Sequence, residues 1–472
     1  MTQSPVNCYF VTMTIWIPDL STSTGPRYKA IAEALAADLR NGKLKAGDRL
    51  PTHRDLAYRL GVTVGTITRA YAEAQRRGLL EGHVGRGSFL AEPVNMPAGF
   101  GLVDHEQTGL IELSLAFPPP QANDMLLQRT FSDLARQPGI ARLLDYQPHG
   151  GMAHHRAAGA AWMGTYGLSV PADRIIVTAG AQHGLAICLG ALLRPGDVLL
   201  TEPLTYPGIR AVAELFKVRI RSVAQDDEGI LPEALESACR EDSPRALYCM
   251  PTLQNPTGAI MSAERRRAIA AVLRKYRLPV IEDDIYRFLT DAPPPLSGLV
   301  PELGHYLLAT SKCIAPGLRV GFLAVPDGQS APFIAALRGT TWMAPPITAE
   351  IATRWINDGT AQALSEGQRK AAIERQKIAR RLLADFDYRA HPSSFFGLLH
   401  LPATWRASDL VNAAARRGLR LRAAEAFSTD QQAPSAIRLC ICGIADVSRL
   451  VEGIGRLIGL LREGPTPDNL LV

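Results

Sequence analysis

Two basic residues pose the first chemical question. In the stretch TSKCIAPGLR, Lys312 ends an apolar run and Arg319 follows beyond a Pro-Gly turn. A buried ammonium is costly unless it is paired or used, so Lys312 needs a partner or a reaction. Three more segments supply candidates. RIIVTAGAQHGLAICLG reads as a buried strand, a small-residue turn and a helix, whose first N–H groups are free to meet a phosphate. RALYCMPTLQNPTG ends a strand at Asn255-Pro256, and RLPVIEDDIYRFL ends another at Asp283, with Tyr286 three residues on. Taken singly each is bland: such turns are common, and an acid beside a lysine can be a plain buried ion pair.

Taken together they fit the chemistry of pyridoxal 5'-phosphate. An amine such as that of Lys312 forms a Schiff base with its aldehyde. An acid such as Asp283 keeps the ring nitrogen protonated, which makes the ring an electron sink. Arg319 offers charge-assisted hydrogen bonds to the phosphate.

Positioning these groups requires an alternation of strands and helices, and the chain has one from residue 111 to about 330. SAERRRAIAAVLRKY reads as the crossover helix between two parallel strands. Asn255, Asp283 and Tyr286 then meet at the carboxyl edge of neighbouring strands, where open α/β sheets hold ligands. The expected architecture is an α/β domain followed by a smaller α+β lobe.

The first fifth of the chain differs. Net charge is +6, and residues 13–91 hold 12 Lys and Arg against 7 Asp and Glu, so most of the basic excess sits there. That pattern suits a nucleic acid or merely a solvated basic surface. Ile31, Leu35 and Leu39 share a helix face. LPTHRDLAYRLGV starts with Thr52 as an N-cap and stops at Gly61, and VTVGTITRAYAEAQRRGLL starts with Thr63 and stops at Gly78. LLEGHVGRGSFL reads as two short strands around a turn.

Residues 28–90 resemble the winged helix-turn-helix domain of the GntR family of bacterial regulators, on AGDRLPTHRDLAYRLGV, TVGTITRAYAEAQRRGLL and GRGSFL. The resemblance implies double-stranded DNA as a partner. It places Ile67, Ala70, Tyr71 and Ala74 of the recognition helix inward. Thr63, Thr66 and Arg69 face the DNA, with His53 and Arg54 at the preceding helix start and Arg86 in the wing. Val64 stands where many members carry arginine.

Residues 111–463 resemble the fold-type I aminotransferases. The resemblance implies that Lys312 carries the cofactor, that Asp283 pairs with its ring nitrogen, and that Tyr286 and Asn255 bond its hydroxyl, Asn255-Pro256 being cis. Tyr206 in EPLTYPG matches the aromatic that stacks on the ring. Gly180, Ala181 and Gln182 match the phosphate turn, helped by Ser311. Tyr146 in DYQPHGG matches a tyrosine that reaches the phosphate of a partner subunit, which implies a homodimer. Arg438 in AIRLCICG matches the arginine that grips a substrate carboxylate. Ala181, Ala309 and Ala116 depart from the usual serine, hydroxyl residue and glycine.

A winged helix fused to such a domain resembles the MocR subgroup of GntR regulators. The resemblance implies a pyridoxal-phosphate-dependent transcription factor that senses an amine, an amino acid or a B6 vitamer. Two rivals stay open: a working aminotransferase with an accessory DNA-binding head, and a DNA-bound module whose cofactor is purely structural. The remaining expectations are an extension at 1–12, with Met13 the more native start, a linker at 92–110 and a tail from 464. Seven cysteines without CxxC or metal spacing read as reduced cytosolic thiols. No apolar run of membrane-spanning length, no signal peptide and no metal site are expected.

Overall fold

The computed structural model describes residues 16–20, 25–40, 43–44, 48–76, 80–83, 87–90, 109–120, 123–430 and 432–465. The chain divides into two compact units, Met1–Val103 and Asp104–Val472.

The first unit is built on helices Arg27–Arg40, His53–Leu60 and Val64–Arg76 and an antiparallel pair, Leu80–His83 with Gly87–Leu90. Thr52 caps the second helix by accepting from Asp55 N at 3.2 Å, and Gly61 ends it in the left-handed region. The apolar spacing of the third helix points Ile67, Ala70, Tyr71 and Ala74 inward. There they join Ile31, Leu35, Leu50, Leu56 and Trp16 in one core. Tyr71 donates its hydroxyl to the Pro51 carbonyl at 2.9 Å, tying this helix to the residue before the Thr52 cap.

The second unit carries a seven-stranded sheet. Its order is Ile175–Thr178, Gly321–Ala324, Gly304–Ala309, Val280–Asp283, Ala246–Cys249, Val198–Thr201 and Arg219–Ser222. All neighbours are parallel except Gly321–Ala324, which runs antiparallel to both of its own. Inner strands such as ALYC and VIED are buried at every position, as strands covered on both faces must be. Helix Ala263–Tyr276 is the crossover between Ala246–Cys249 and Val280–Asp283; Ser262 caps it by accepting from Arg265 N. A smaller lobe follows, an antiparallel sheet ordered Tyr388–Arg389, Phe396–His400, Ala436–Cys440, Arg422–Ala423. Helices Thr360–Leu382, Ala407–Arg416 and Val447–Glu463 belong to the same region. No helix among the described residues is long and apolar enough to cross a membrane.

Candidate functional site

Strand ends and one short helix bring the predicted residues of the second unit together. Strand Gly304–Ala309 runs into the short helix Thr310–Cys313, whose third residue is Lys312. Its ammonium donates to the Ala116 carbonyl at 2.6 Å and lies 5.8 Å from the centre of the Phe117 ring. Burial, then the nearby Arg438 and Arg319, pull its pKa down to about 8, against Cys440 and Asp283. Part of the amine is therefore neutral and nucleophilic near physiological pH.

Asp283 ends its strand with 1% exposure. Its Oδ2 accepts from the Tyr248 hydroxyl at 3.0 Å, while Oδ1 is buried without a partner. Tyr286 is buried edge-on to Phe396 and Phe395, with ring centres 5.4 and 6.2 Å away. Asn255 precedes Pro256 through a cis peptide, and its Oδ1 accepts from Arg438 at 2.7 Å. Arg438 also donates to the Ser114 carbonyl at 2.6 Å, and its guanidinium lies 4.5 Å from the Phe427 ring centre, leaving Nε buried without a partner.

The phosphate turn is shaped by two glycines. Gly180 has φ of 88°, and a Cβ there would lie 2.7 Å from an Arg319 terminal nitrogen, so the guanidinium rests against the turn that opens helix Ala181–Leu192. A Cβ at Gly208 would strike the Tyr206 ring at 2.2 Å and Gln182 Oε1 at 2.4 Å. Gln182 donates to the Gly208 carbonyl at 2.9 Å, and its Oε1 is another buried atom without a partner. Tyr206 lies within the field of Asp283, Arg319 and Arg438, and burial raises its hydroxyl to about 12.

Buried polar atoms seldom go unsatisfied in folded proteins. Asp283 Oδ1 and Gln182 Oε1, which accept, and Arg438 Nε, which donates, do so around Tyr206, which fits a polar ring with an N–H for Asp283 and a carboxylate for Arg438. Pyridoxal 5'-phosphate matches this set: a ring nitrogen for Asp283, an aldehyde for Lys312 and a phosphate for the turn beside Arg319.

Other residues fall differently. Ser311 is half-buried beside Lys312. Tyr146 is 83% exposed, its ring 6.0 Å from that of Trp342. In the first unit Arg69 and Arg54 are exposed. Thr63 accepts from Thr66 N at 3.2 Å, its oxygen 2.9 Å from the Thr66 hydroxyl, so both serve the helix start. His53 is half-buried, edge-on to Tyr71 at 4.8 Å and bonded to Thr68 at 3.2 Å. Arg86 and most of the linker lie outside the described residues. Two residues escaped sequence reasoning. Tyr248 sits in a quoted strand but gave no periodic signal, and Glu202, four residues before Tyr206, is fully buried and bonded to Met250 N and the Thr205 hydroxyl.

Desolvation pushes the carboxyls of Asp283 and Glu202 up to about 7. Raised folded-state values mean that the folded, cofactor-free chain keeps protons the unfolded chain has released. The associated stability is complete below about pH 4 and is lost as pH rises through about 7. We expect the urea midpoint of the cofactor-free chain to fall across that window, and Asp283→Asn to flatten the fall. An unchanged slope in the variant would remove Asp283 from this role.

Comparison with known proteins agrees with this arrangement. The family described as aminotransferase class I and II matches residues 122–454, and the family described as bacterial regulatory proteins, gntR family, matches residues 27–90. The uncharacterized HTH-type transcriptional regulator YdeF of Bacillus subtilis is 31% identical over 97% of this chain and 99% of its own length. The HTH-type pyridoxine biosynthesis transcriptional regulator PdxR of Corynebacterium glutamicum is 28% identical over 75% of this chain and 78% of its own. Among solved structures, an archaeal alanine:glyoxylate aminotransferase superposes with a TM-score of 0.70 at 25% identity, covering 76% of this chain and 92% of that one.

Proposed function

The chain belongs to the aminotransferase class I and II family and carries a gntR-family DNA-binding head, and from that premise we propose that it is a pyridoxal-phosphate-dependent transcriptional regulator. The observation that carries this reading is the joining, on one chain, of a DNA-binding head to a pocket that holds a lysine whose amine can react with an aldehyde. A relative named a transcriptional regulator, matched over 97% of this chain and 99% of its own length, supports it.

The cofactor supplies an aldehyde and an electron-withdrawing ring. The residues of this chain do the rest. Lys312 presents a partly neutral amine. Asp283 Oδ1 would hold a proton on the ring nitrogen, and Tyr248 fixes that carboxylate by its other oxygen. Tyr286 and Asn255 would hold the ring hydroxyl, Tyr206 the ring, and Gly180, Ala181, Gln182, Ser311 and Arg319 the phosphate. Arg438, already fixed by Asn255 and Ser114 through its two terminal nitrogens, has its unpartnered Nε left for an effector carboxylate.

The effector is an amine, an amino acid or a B6 vitamer that competes for the Lys312 position. It regulates DNA binding only by differing in affinity for two states of the protein. The exposure of Tyr146 supports a homodimer in which this residue serves the partner's phosphate. The working division is a head at 13–91, a linker at 92–110 and a body at 111–463. Six buried free cysteines among the described residues support a reducing, cytoplasmic setting.

The head contacts DNA through the exposed start of helix Val64–Arg76, Thr63, Thr66 and Arg69, with Arg54 and His53 at the preceding helix start; the sequence adds Arg86, which lies outside the described residues. Arg69→Ala should weaken binding by roughly 1–3 kcal/mol where a base contact is lost. If Arg69 touches only phosphate, the salt dependence of binding becomes shallower instead. Unchanged affinity and salt slope, measured by fluorescence anisotropy, would take Arg69 out of the interface. The near-complete set of reactive residues also favours a second reading, a working aminotransferase. Sustained turnover of an amino acid with a 2-oxo acid would select it.

A further inference from the structure

Away from the cofactor pocket, two helices bring three metal-ligating side chains to one point. His154 and His155 lie in the first turn of helix Ala153–Thr165, and Glu350 lies in helix Pro346–Asn357. Glu350 Oε2 accepts from His154 Nε2 at 2.7 Å and from His155 Nε2 at 3.1 Å. The other carboxylate oxygen is held by Arg354 Nε at 3.0 Å, one turn along the same helix. Arg354 thereby fixes the plane of the carboxylate and turns Oε2 toward the imidazoles. Their side chains differ in exposure: 2% for His155, 8% for Glu350 and 53% for His154.

Consecutive helical residues point about 100° apart, so two adjacent histidines converge on one atom only when their rings are turned toward each other. Here the ring centres are 4.2 Å apart, and the three ligand atoms all lie within 4.8 Å of one another. A tetrahedral zinc ion with bonds of about 2.0–2.2 Å needs ligand atoms a little over 3 Å apart. The two Nε2–Oε2 distances of 2.7 and 3.1 Å already come close to that spacing. Two imidazoles and one carboxylate suit zinc and its transition-metal neighbours and disfavour magnesium and calcium, which prefer all-oxygen shells.

We propose that His154, His155 and Glu350 bind one divalent transition-metal ion of the zinc class, with a fourth position open to solvent on the His154 side. On binding, the protons of the two Nε2 atoms pass to Nδ1, and each Nε2 lone pair turns to the ion. The ion would clamp the two helices together near the segments that lead into them. Those segments already touch: His149 Nδ1 is 2.9 Å from the Trp342 carbonyl, and Tyr146 packs on the Trp342 ring. Ion binding itself does not depend on the regulatory reading above.

The test uses the full chain with any affinity tag removed, equilibrated with zinc chloride, desalted and analysed for metal content. Wild type should retain one zinc per chain, and His154→Ala, a change at an exposed position, should lower zinc affinity by roughly tenfold or more. Glu350→Gln should lower it as well, with circular dichroism checking that each variant is folded. Cobalt in place of zinc should give the visible bands of a nitrogen and oxygen shell, without thiolate charge transfer. A wild type that retains no zinc, or a His154→Ala chain that retains as much as wild type, would overturn the proposal. Thiolate bands from cobalt would also sink it, since they place the ion at cysteines.

Discussion

Lys312→Ala should abolish covalent attachment of pyridoxal phosphate while leaving the body folded. Lys312 makes one hydrogen bond, to the Ala116 carbonyl, and its positive charge is disfavoured by burial and by Arg438 and Arg319. Removing it therefore relieves an unfavourable charge and frees one carbonyl, a small cost for so large a domain. The lost function is total, because no other lysine stands at this position. In the native chain the attachment rate should climb as pH rises toward about 8, where the amine becomes neutral. The checks are the visible absorption of the bound cofactor and borohydride reduction followed by peptide mass mapping. A labelled peptide that excludes Lys312, or a visible band that survives in the variant, would refute the assignment.

Arg266→Ala carries the largest expected loss of stability. Arg266 and Glu282 are 1% and 0% exposed and meet at 3.4 Å. The guanidinium also holds the carbonyls of Met261, Pro294 and Pro251 and the hydroxyl of Thr252. It thus braces the loop that presents Asn255, while Glu282 takes the N–H groups of Leu296 and Ser297. Deleting the cation leaves a buried carboxylate in the field of Asp284, a loss of about 3–5 kcal/mol. Desolvation and Asp284 already push the Glu282 carboxyl up, and Arg266 opposes them. The variant should therefore lose most at neutral pH and recover as acid protonates Glu282. Replacing both partners with apolar residues should restore much of the loss. The body's urea transition reads all of this, and a variant within about 0.5 kcal/mol of wild type would show that the pair is dispensable.

Much of this was legible in the sequence because it is written locally. Four-residue apolar runs mark buried strands, Thr52 and Ser262 mark helix starts, and Lys312, Asp283, Asn255 and Tyr286 fall where strands end. What was not legible depends on partners distant in the chain. Arg266 sits in an ERRR run that looks solvated, yet topology drops it onto Glu282. The second aspartate of the EDDIY stretch, Asp284, belongs to Tyr306, which donates to it at 2.8 Å. The edge-on contact of His53 with Tyr71 joins two helices and has no local signature either. Nothing near His154 and His155 announces Glu350, which lies almost 200 residues later. Such pairings follow from which helix covers which strand, and no local spacing encodes that.

The central claim is that occupancy of the Lys312 pocket changes DNA binding. Its most direct test is fluorescence anisotropy of the purified chain on the duplex upstream of its own gene, against a random duplex at the same salt. The chain is assayed with cofactor bound and stripped. We predict sequence-preferring binding that differs between the two forms by roughly 5- to 150-fold, the usual range of coupling between sites. Equal affinity of both forms for both duplexes would contradict the account.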